Sequence, residues 1–149
     1  MFFDSSALAK YYHREPGTEV VERLLAMAVM GGVPAYISRL AVVEFQSVFA
    51  KKVRTRLISS AEALQARNGF LRDIRERRFR VVALKSRHYE KTEKMIRQYG
   101  FSRALRTLDA VQLAVALDLK ARQLTDLFVA ADKALLGVAK LAGMNVHMT

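Results

Sequence analysis

Five short apolar runs, each separated from the next by a longer helical pattern, constrain this chain more than any other feature. The runs are Met1 to Phe3, Ala35 to Ser38, Val81 to Leu84, Leu127 to Ala131 and Met144 to His147, all of strand length. The stretches between them carry helix start and stop signals. Asp4-Ser5-Ser6 offers caps for a helix through Tyr12, Pro16 opens a second helix toward Met30, and Gly31-Gly32 ends it. Ser38 is placed to cap a helix from about Arg39 to Val53. Ser59-Ser60-Ala61-Glu62 has capping-box spacing ahead of a stripe of Ala61, Leu64, Leu71 and Ile74, which predicts a helix hairpin with the preceding one. Ser86 caps a basic helix ending near Gly100, Thr107 caps the apolar helix Leu108 to Leu119, and a last helix runs from Lys133 to Leu141 before Gly143. Strands joined through helices pair in parallel and carry helices on both faces, so the expectation is α/β architecture.

The chain has 149 residues, the size of one domain that buries a full core without staples. It is read as a single domain over 1–149. With no cysteine, disulfide scaffolds, Cys-ligated zinc, thiol nucleophiles and redox motifs are all excluded. The start, Met1-Phe2-Phe3-Asp4, lacks a basic region and meets a carboxylate at once, unlike a signal peptide. The apolar stretch Leu24 to Ile37 is interrupted by Gly31, Gly32 and Pro34 and is too short to span a bilayer. The expected setting is therefore soluble and cytoplasmic, with no membrane partner.

Net charge is +11, and its distribution is more informative than its size. Lys51 to Arg106 holds 17 Lys plus Arg against 5 acids, a local +12, and the rest of the chain sums to −1. A regional excess of that kind suits a polyanion, most commonly nucleic acid.

Four acids stand out against apolar surroundings. Asp4 closes the first strand and Asp132 follows the fourth, so both lie at the carboxyl edge where open parallel sheets place their ligands. Glu44 sits within Leu40-Ala41-Val42-Val43-Glu44-Phe45, and Asp109 is the only charge between Leu108 and Leu117. Helices that start at the carboxyl edge bring both toward the same rim. Each has a plainer reading: Asp4 and Asp132 as helix N-caps, Asp109 as a first-turn acid suited to the helix dipole, Glu44 as a surface residue. Four together in a partly dry rim repel one another and take up protons unless a cation compensates. A set of hard oxygen ligands without His or Cys points to Mg²⁺ or Mn²⁺. Asp126, at the start of the fourth strand, is expected roughly 16 Å from the Asp132 end, and Asp118, late in its helix, reads as surface. His13, His88 and His147 are scattered, and no Walker loop, dinucleotide turn, nucleophile elbow or zincin helix is present. Ser5 and Ser6 read as caps, one of which can also orient the Asp4 carboxylate.

Four blocks, Phe3-Asp4-Ser5-Ser6-Ala7-Leu8-Ala9-Lys10-Tyr11-Tyr12, Ile37 to Phe45, Leu108-Asp109-Ala110-Val111-Gln112-Leu113-Ala114 and Phe128 to Leu136, occur in an order that resembles PIN-domain ribonucleases of the VapC toxin type. The resemblance implies a three-layer α/β/α fold around a parallel sheet and metal-dependent cleavage of RNA. It equates Asp4, Glu44, Asp109 and Asp132 with the family's acids, Asp4 and Asp109 being the principal Mg²⁺ ligands. It also implies a small antitoxin partner and a homodimer. One departure is Ala130, where similar proteins often carry a hydroxyl two places before the last acid, which bears on a second metal position. A noncatalytic RNA-binding protein, or a nuclease for DNA or RNA processing, are the alternatives on the same fold.

Overall fold

In a computed structural model that describes residues 1–149, each apolar run contributes a strand: β1 (Phe2–Phe3), β2 (Ala35–Ser38), β3 (Phe79–Val82), β4 (Leu127–Ala130) and β5 (Asn145–Met148). The helices are α1 (Ser5–Tyr12), α2 (Thr18–Met30), α3 (Arg39–Arg54), α4 (Ser60–Arg75), α5 (Ser86–Tyr99), α6 (Thr107–Ala121) and α7 (Lys133–Leu141). The strands form one sheet in the order β3-β2-β1-β4-β5 with every pairing parallel. Alternation along the strands divides the core in two. Phe2, Tyr36, Phe128 and Ala130 face residues of α5, α6 and α7, while Phe3, Ile37, Phe79 and Val129 face residues of α1 to α4. The chain is thus a three-layer α/β/α structure, as the sequence predicts. No helix is long and apolar enough to cross a membrane.

The strand order creates the place where function can gather. From β1 the chain moves outward through β2 to β3, then returns to lay β4 on the other side of β1 and β5 beyond it. The β1/β4 junction is therefore the topological switch point, and open parallel sheets bind ligands at the carboxyl ends of the strands there. Asp4 and Asp132 follow those two strands.

Several boundaries differ from the sequence reading. The third strand is Phe79–Val82, not Val81 to Leu84, because Phe79 pairs with Ala35 and is buried while Arg80 reaches solvent from an edge strand. Helix α2 begins at Thr18, since Gly17 adopts φ 97° as its N-cap, a left-handed conformation suited to glycine. Ser86 and Thr107 are first helical residues and not caps; the cap positions are Lys85 and Arg106, and the Lys85 N–H donates to His88 Nδ1 at 3.1 Å. Asp126 behaves as expected, its Oδ2 accepting from Asn145 at the amino edge of the sheet.

Asp118 is not simple surface. Arg87 grips it with two hydrogen bonds at 2.7 and 2.9 Å, buried His88 places Nε2 3.4 Å away, and Arg122 lies at 3.7 Å. The pair fastens α5 to α6. The Arg87 hydrogen bond, then the histidine contact, holds the Asp118 carboxyl down to about 2. A carboxylate depressed on folding stabilises above its unfolded range near 4 and loses that contribution as pH falls toward 2. Asp118→Ala is expected to lower stability at pH 7 by on the order of 1 kcal/mol. In urea titrations the gap between variant and parent should close near pH 2, and a constant gap across that range would contradict this account.

Candidate functional site

Asp4 leaves β1 with its N–H donating to the Val129 carbonyl at 2.9 Å. Its side chain caps α1: Oδ2 accepts from the Ser6 N–H at 3.0 Å and from the Ser6 hydroxyl at 2.6 Å. The same hydroxyl accepts from the Ala131 N–H at 3.0 Å, so Ser6 ties the ends of the two central strands around the carboxylate. The remaining oxygen, Oδ1, is buried without a hydrogen-bond partner, in a residue only 3% exposed. An ionised oxygen in that state is costly unless a proton or a cation meets it.

Asp132 is built on the same plan. It caps α7 with Oδ1 alone, which accepts from the Ala134 and Leu135 N–H groups at 2.7 and 3.0 Å. The plainer reading of both acids as N-caps is therefore correct and incomplete, because each cap fixes the side chain through one oxygen and leaves the other outside the capping bonds.

Glu44 is half-buried on α3 and does not face open water. Its Oε2 accepts from Gln112 Nε2 at 2.6 Å. Gln112 Oε1 accepts from the Ser38 hydroxyl at 2.5 Å, and the Ser38 oxygen accepts from the Ala41 N–H at 2.9 Å while capping α3. Ser38 and Gln112 are both fully buried, so this chain of bonds sets the position of Glu44 from the other face of the sheet. Asp109, in the first turn of α6, is half-buried.

The ionisation of these groups reflects their nearness. Burial pushes the Asp4 carboxyl up, opposed by the Ser6 and Ser5 hydrogen bonds and reinforced by the charge of Asp132. Burial also raises Glu44, opposed by Gln112 and Ser5 and reinforced by Asp4. Asp109 is pushed up to about 6, first by burial and then by Asp4 and Asp132, with Arg106 pulling the other way and Glu44 adding to the rise. All four acids thus share one electrostatic neighbourhood. They do not form a closed cage, since no three of them surround a common point at metal-ligand range. The donor set, with a buried and partnerless Asp4 oxygen at its centre, fits a hard divalent cation.

A cleft of about 660 Å³ lies elsewhere, lined by residues such as Tyr11, His13, Gln65, Arg72 and Asp73, and contains none of the four acids. Of the 17 cations between Lys51 and Arg106, only Lys52, Arg78, Arg87 and Arg97 have an acidic partner within 4.0 Å, leaving most of that charge available to a polyanion.

Gln112 is the functional candidate that sequence reasoning missed. Its spacing held a signal: three residues after Asp109, it shares a face of α6 with that acid. Gln112→Ala leaves Glu44 and Ser38 without their partner, and a loss of about 1–3 kcal/mol is expected in chemical denaturation. An unchanged midpoint would mean the buried bonds are replaced by water.

A sequence profile described as PIN domain matches residues 1–141. Among solved structures, the VapC20 toxin of Mycobacterium tuberculosis, described as cleaving the sarcin-ricin loop, is similar with TM-score 0.66 at 17% identity, covering 96% of this chain and 95% of that one. VapBC2 from Rickettsia felis, solved bound to a promoter DNA fragment, gives 0.66 at 13% identity over 99% and 96%. FitAcB from Neisseria gonorrhoeae gives 0.60 at 15% identity over 97% and 94%. At these identities the likeness is one of fold. No curated protein sequence matches the chain significantly.

Proposed function

The chain belongs to the PIN-domain family, and from that premise we propose that it is a divalent-metal-dependent endoribonuclease, the toxin of a toxin-antitoxin pair. The observation that carries the reading is the buried Asp4 Oδ1, partnerless at the switch point and electrostatically coupled to Glu44, Asp109 and Asp132. Four acids confined to one rim have no folding role that requires all of them together.

In this reading Asp4 and Asp109 would be the principal ligands of Mg²⁺ or Mn²⁺, with Glu44 and Asp132 contributing to its binding. When bound, the cation supplies a water of lowered pKa and charge stabilisation at a scissile phosphate. The protein's own part is orientation. Ser6 holds one oxygen of Asp4, the α7 N–H groups hold one oxygen of Asp132, and Gln112 holds Glu44, so the ligands are aimed before substrate arrives. No side-chain nucleophile is required. Cations from the Lys51 to Arg106 segment hold flanking phosphates. A small antitoxin is one proposed protein partner, in keeping with a structure of similar fold described as a toxin-antitoxin complex from Klebsiella pneumoniae, and a second copy of this chain is the other.

The test is cleavage of defined RNA with Mg²⁺ or Mn²⁺, beside a chelator control and single- and double-stranded DNA. RNA cleavage that stops in chelator supports the reading. Cleavage of DNA alone would move the chain to another nuclease class, and no cleavage of any nucleic acid with either metal would overturn it.

A further inference from the structure

The turn between α5 and α6, Gly100 to Arg106, lies on the rim beside Asp109. Helical geometry places it there. Arg87, at the start of α5, bonds Asp118 late in α6, so the two helices run antiparallel. From Asp118 back to Asp109 is roughly 13 Å along α6, and from Arg87 to Tyr99 is roughly 18 Å along α5. Helix α5 therefore climbs to the level of the α6 N-terminus and delivers the turn at the carboxyl edge of the sheet. The field of Arg106 on Asp109 agrees with that placement.

On this turn stands Phe101, 100% exposed, whereas the other seven phenylalanines are at most 3% exposed. The turn that carries it is anchored on both sides. The N–H groups of Ser102 and Arg103 both donate to the Tyr99 carbonyl, at 3.0 and 2.8 Å, and the Leu105 N–H donates to the Arg103 carbonyl at 2.8 Å; Tyr99 and Leu105 pack on the core. Arg103 and Arg106 follow it on the same turn, both exposed and neither within an ion pair. Folding gains nothing from an aromatic ring held in water on a turn with two unpaired cations. An unpaired nucleobase gains a stacking face from it, and its two phosphates gain counter-charges. A protein interface wants an apolar centre depleted of charge, which this turn lacks.

We propose that Phe101 is a stacking platform for an unpaired base of the substrate strand, with Arg103 and Arg106 of the same turn taking neighbouring phosphates. The platform rests on the nuclease reading for its purpose, since it sets which nucleotide lies next to the acid rim. It makes single-stranded RNA, or a base splayed from a loop, the preferred substrate class.

Binding in chelator tests it separately from cleavage. Fluorescence anisotropy of the full chain with an unstructured 12-residue RNA should show Phe101→Ala weakening affinity by about tenfold, with the salt slope unchanged. Phe101→Tyr should restore it. On the same oligomer made abasic throughout, the alanine variant and parent should bind alike. Arg103→Ala and Arg106→Ala should each flatten the slope of log affinity against log salt by about 0.7. Equal binding of intact RNA by Phe101→Ala and parent, or an equal loss on abasic RNA, overturns the platform. So does a change of oligomeric state in Phe101→Ala by light scattering, which would make the ring a protein contact. Base-dependent loss in a chain that cleaves nothing leaves the platform standing and removes the nuclease; metal-dependent cleavage with unchanged Phe101→Ala binding removes the platform alone.

Discussion

Asp4→Asn and Asp109→Asn should each reduce metal-dependent RNA cleavage by about a thousandfold or more, while RNA affinity measured in chelator stays equal or rises. The amide keeps the shape of the carboxylate and, at Asp4, an oxygen able to accept from the Ser6 N–H and hydroxyl. What it removes is the negative charge that a hard cation requires. Binding should not suffer, because the acid rim repels the phosphates that the basic segment attracts, and each neutralised acid lessens that repulsion. The two variants differ in a way that checks the geometry. Asp4 is the buried centre of the group, so its replacement should abolish metal binding by calorimetry; Asp109, half-buried at the α6 terminus, should leave a weaker residual site. Gel-resolved cleavage over a range of Mn²⁺ would read both, and full activity in either variant would sink the assignment of these acids.

The fold was legible in the sequence because its strands are short and mostly apolar, and because the Gly31-Gly32 pair and the capping serines Ser38 and Ser59 punctuate the helices between them. Ser38 and the Ser59–Glu62 capping box are found where their spacing put them. The boundaries that moved did so for tertiary reasons. Arg80 can sit in a strand only because that strand is an edge, and Lys85 occupies a cap position because a buried histidine three residues on accepts its N–H. The candidate acids were legible as charges out of place in apolar runs, yet their supports were not. Gln112 looks like any polar residue on an apolar helix until Ser38 and Glu44 are brought to its two ends from sequence distances of 74 and 68 residues. Asp118 misled for the same reason, since its partner Arg87 lies 31 residues away. Phe101 was invisible as a feature because composition does not tell a core phenylalanine from one standing in water.

The largest effect on stability should come from divalent cation, and it should depend on pH with a sign opposite to that of Asp118. The folded chain raises Asp109 to about 6 from an ordinary carboxylate value of 3.8, and raises Asp4 and Glu44 in the same direction. Between about pH 4 and 6 the native state therefore binds more protons than the unfolded one, so this site stabilises fully below that window and loses its contribution as pH rises through it. At pH 7.5 the rim carries charge that burial disfavours, and a cation that binds only the native state recovers stability by mass action. At a hundredfold excess over its Kd that gain is about 2.7 kcal/mol, about 5–10 °C in melting temperature for a domain of this size. At pH 4.5 the same Mn²⁺ should do less, because Asp109, raised to about 6, is then largely protonated and the proton competes with the cation for it. Sodium chloride at matched ionic strength controls for general screening of a +11 chain. Asp109→Asn should melt higher than the parent at pH 7.5 without metal and gain less from Mn²⁺, because the variant has already discharged part of the repulsion that the cation otherwise relieves. A metal-induced shift equal at both pH values, or undiminished in Asp109→Asn, would place the cation elsewhere on the protein and separate the acid rim from metal binding.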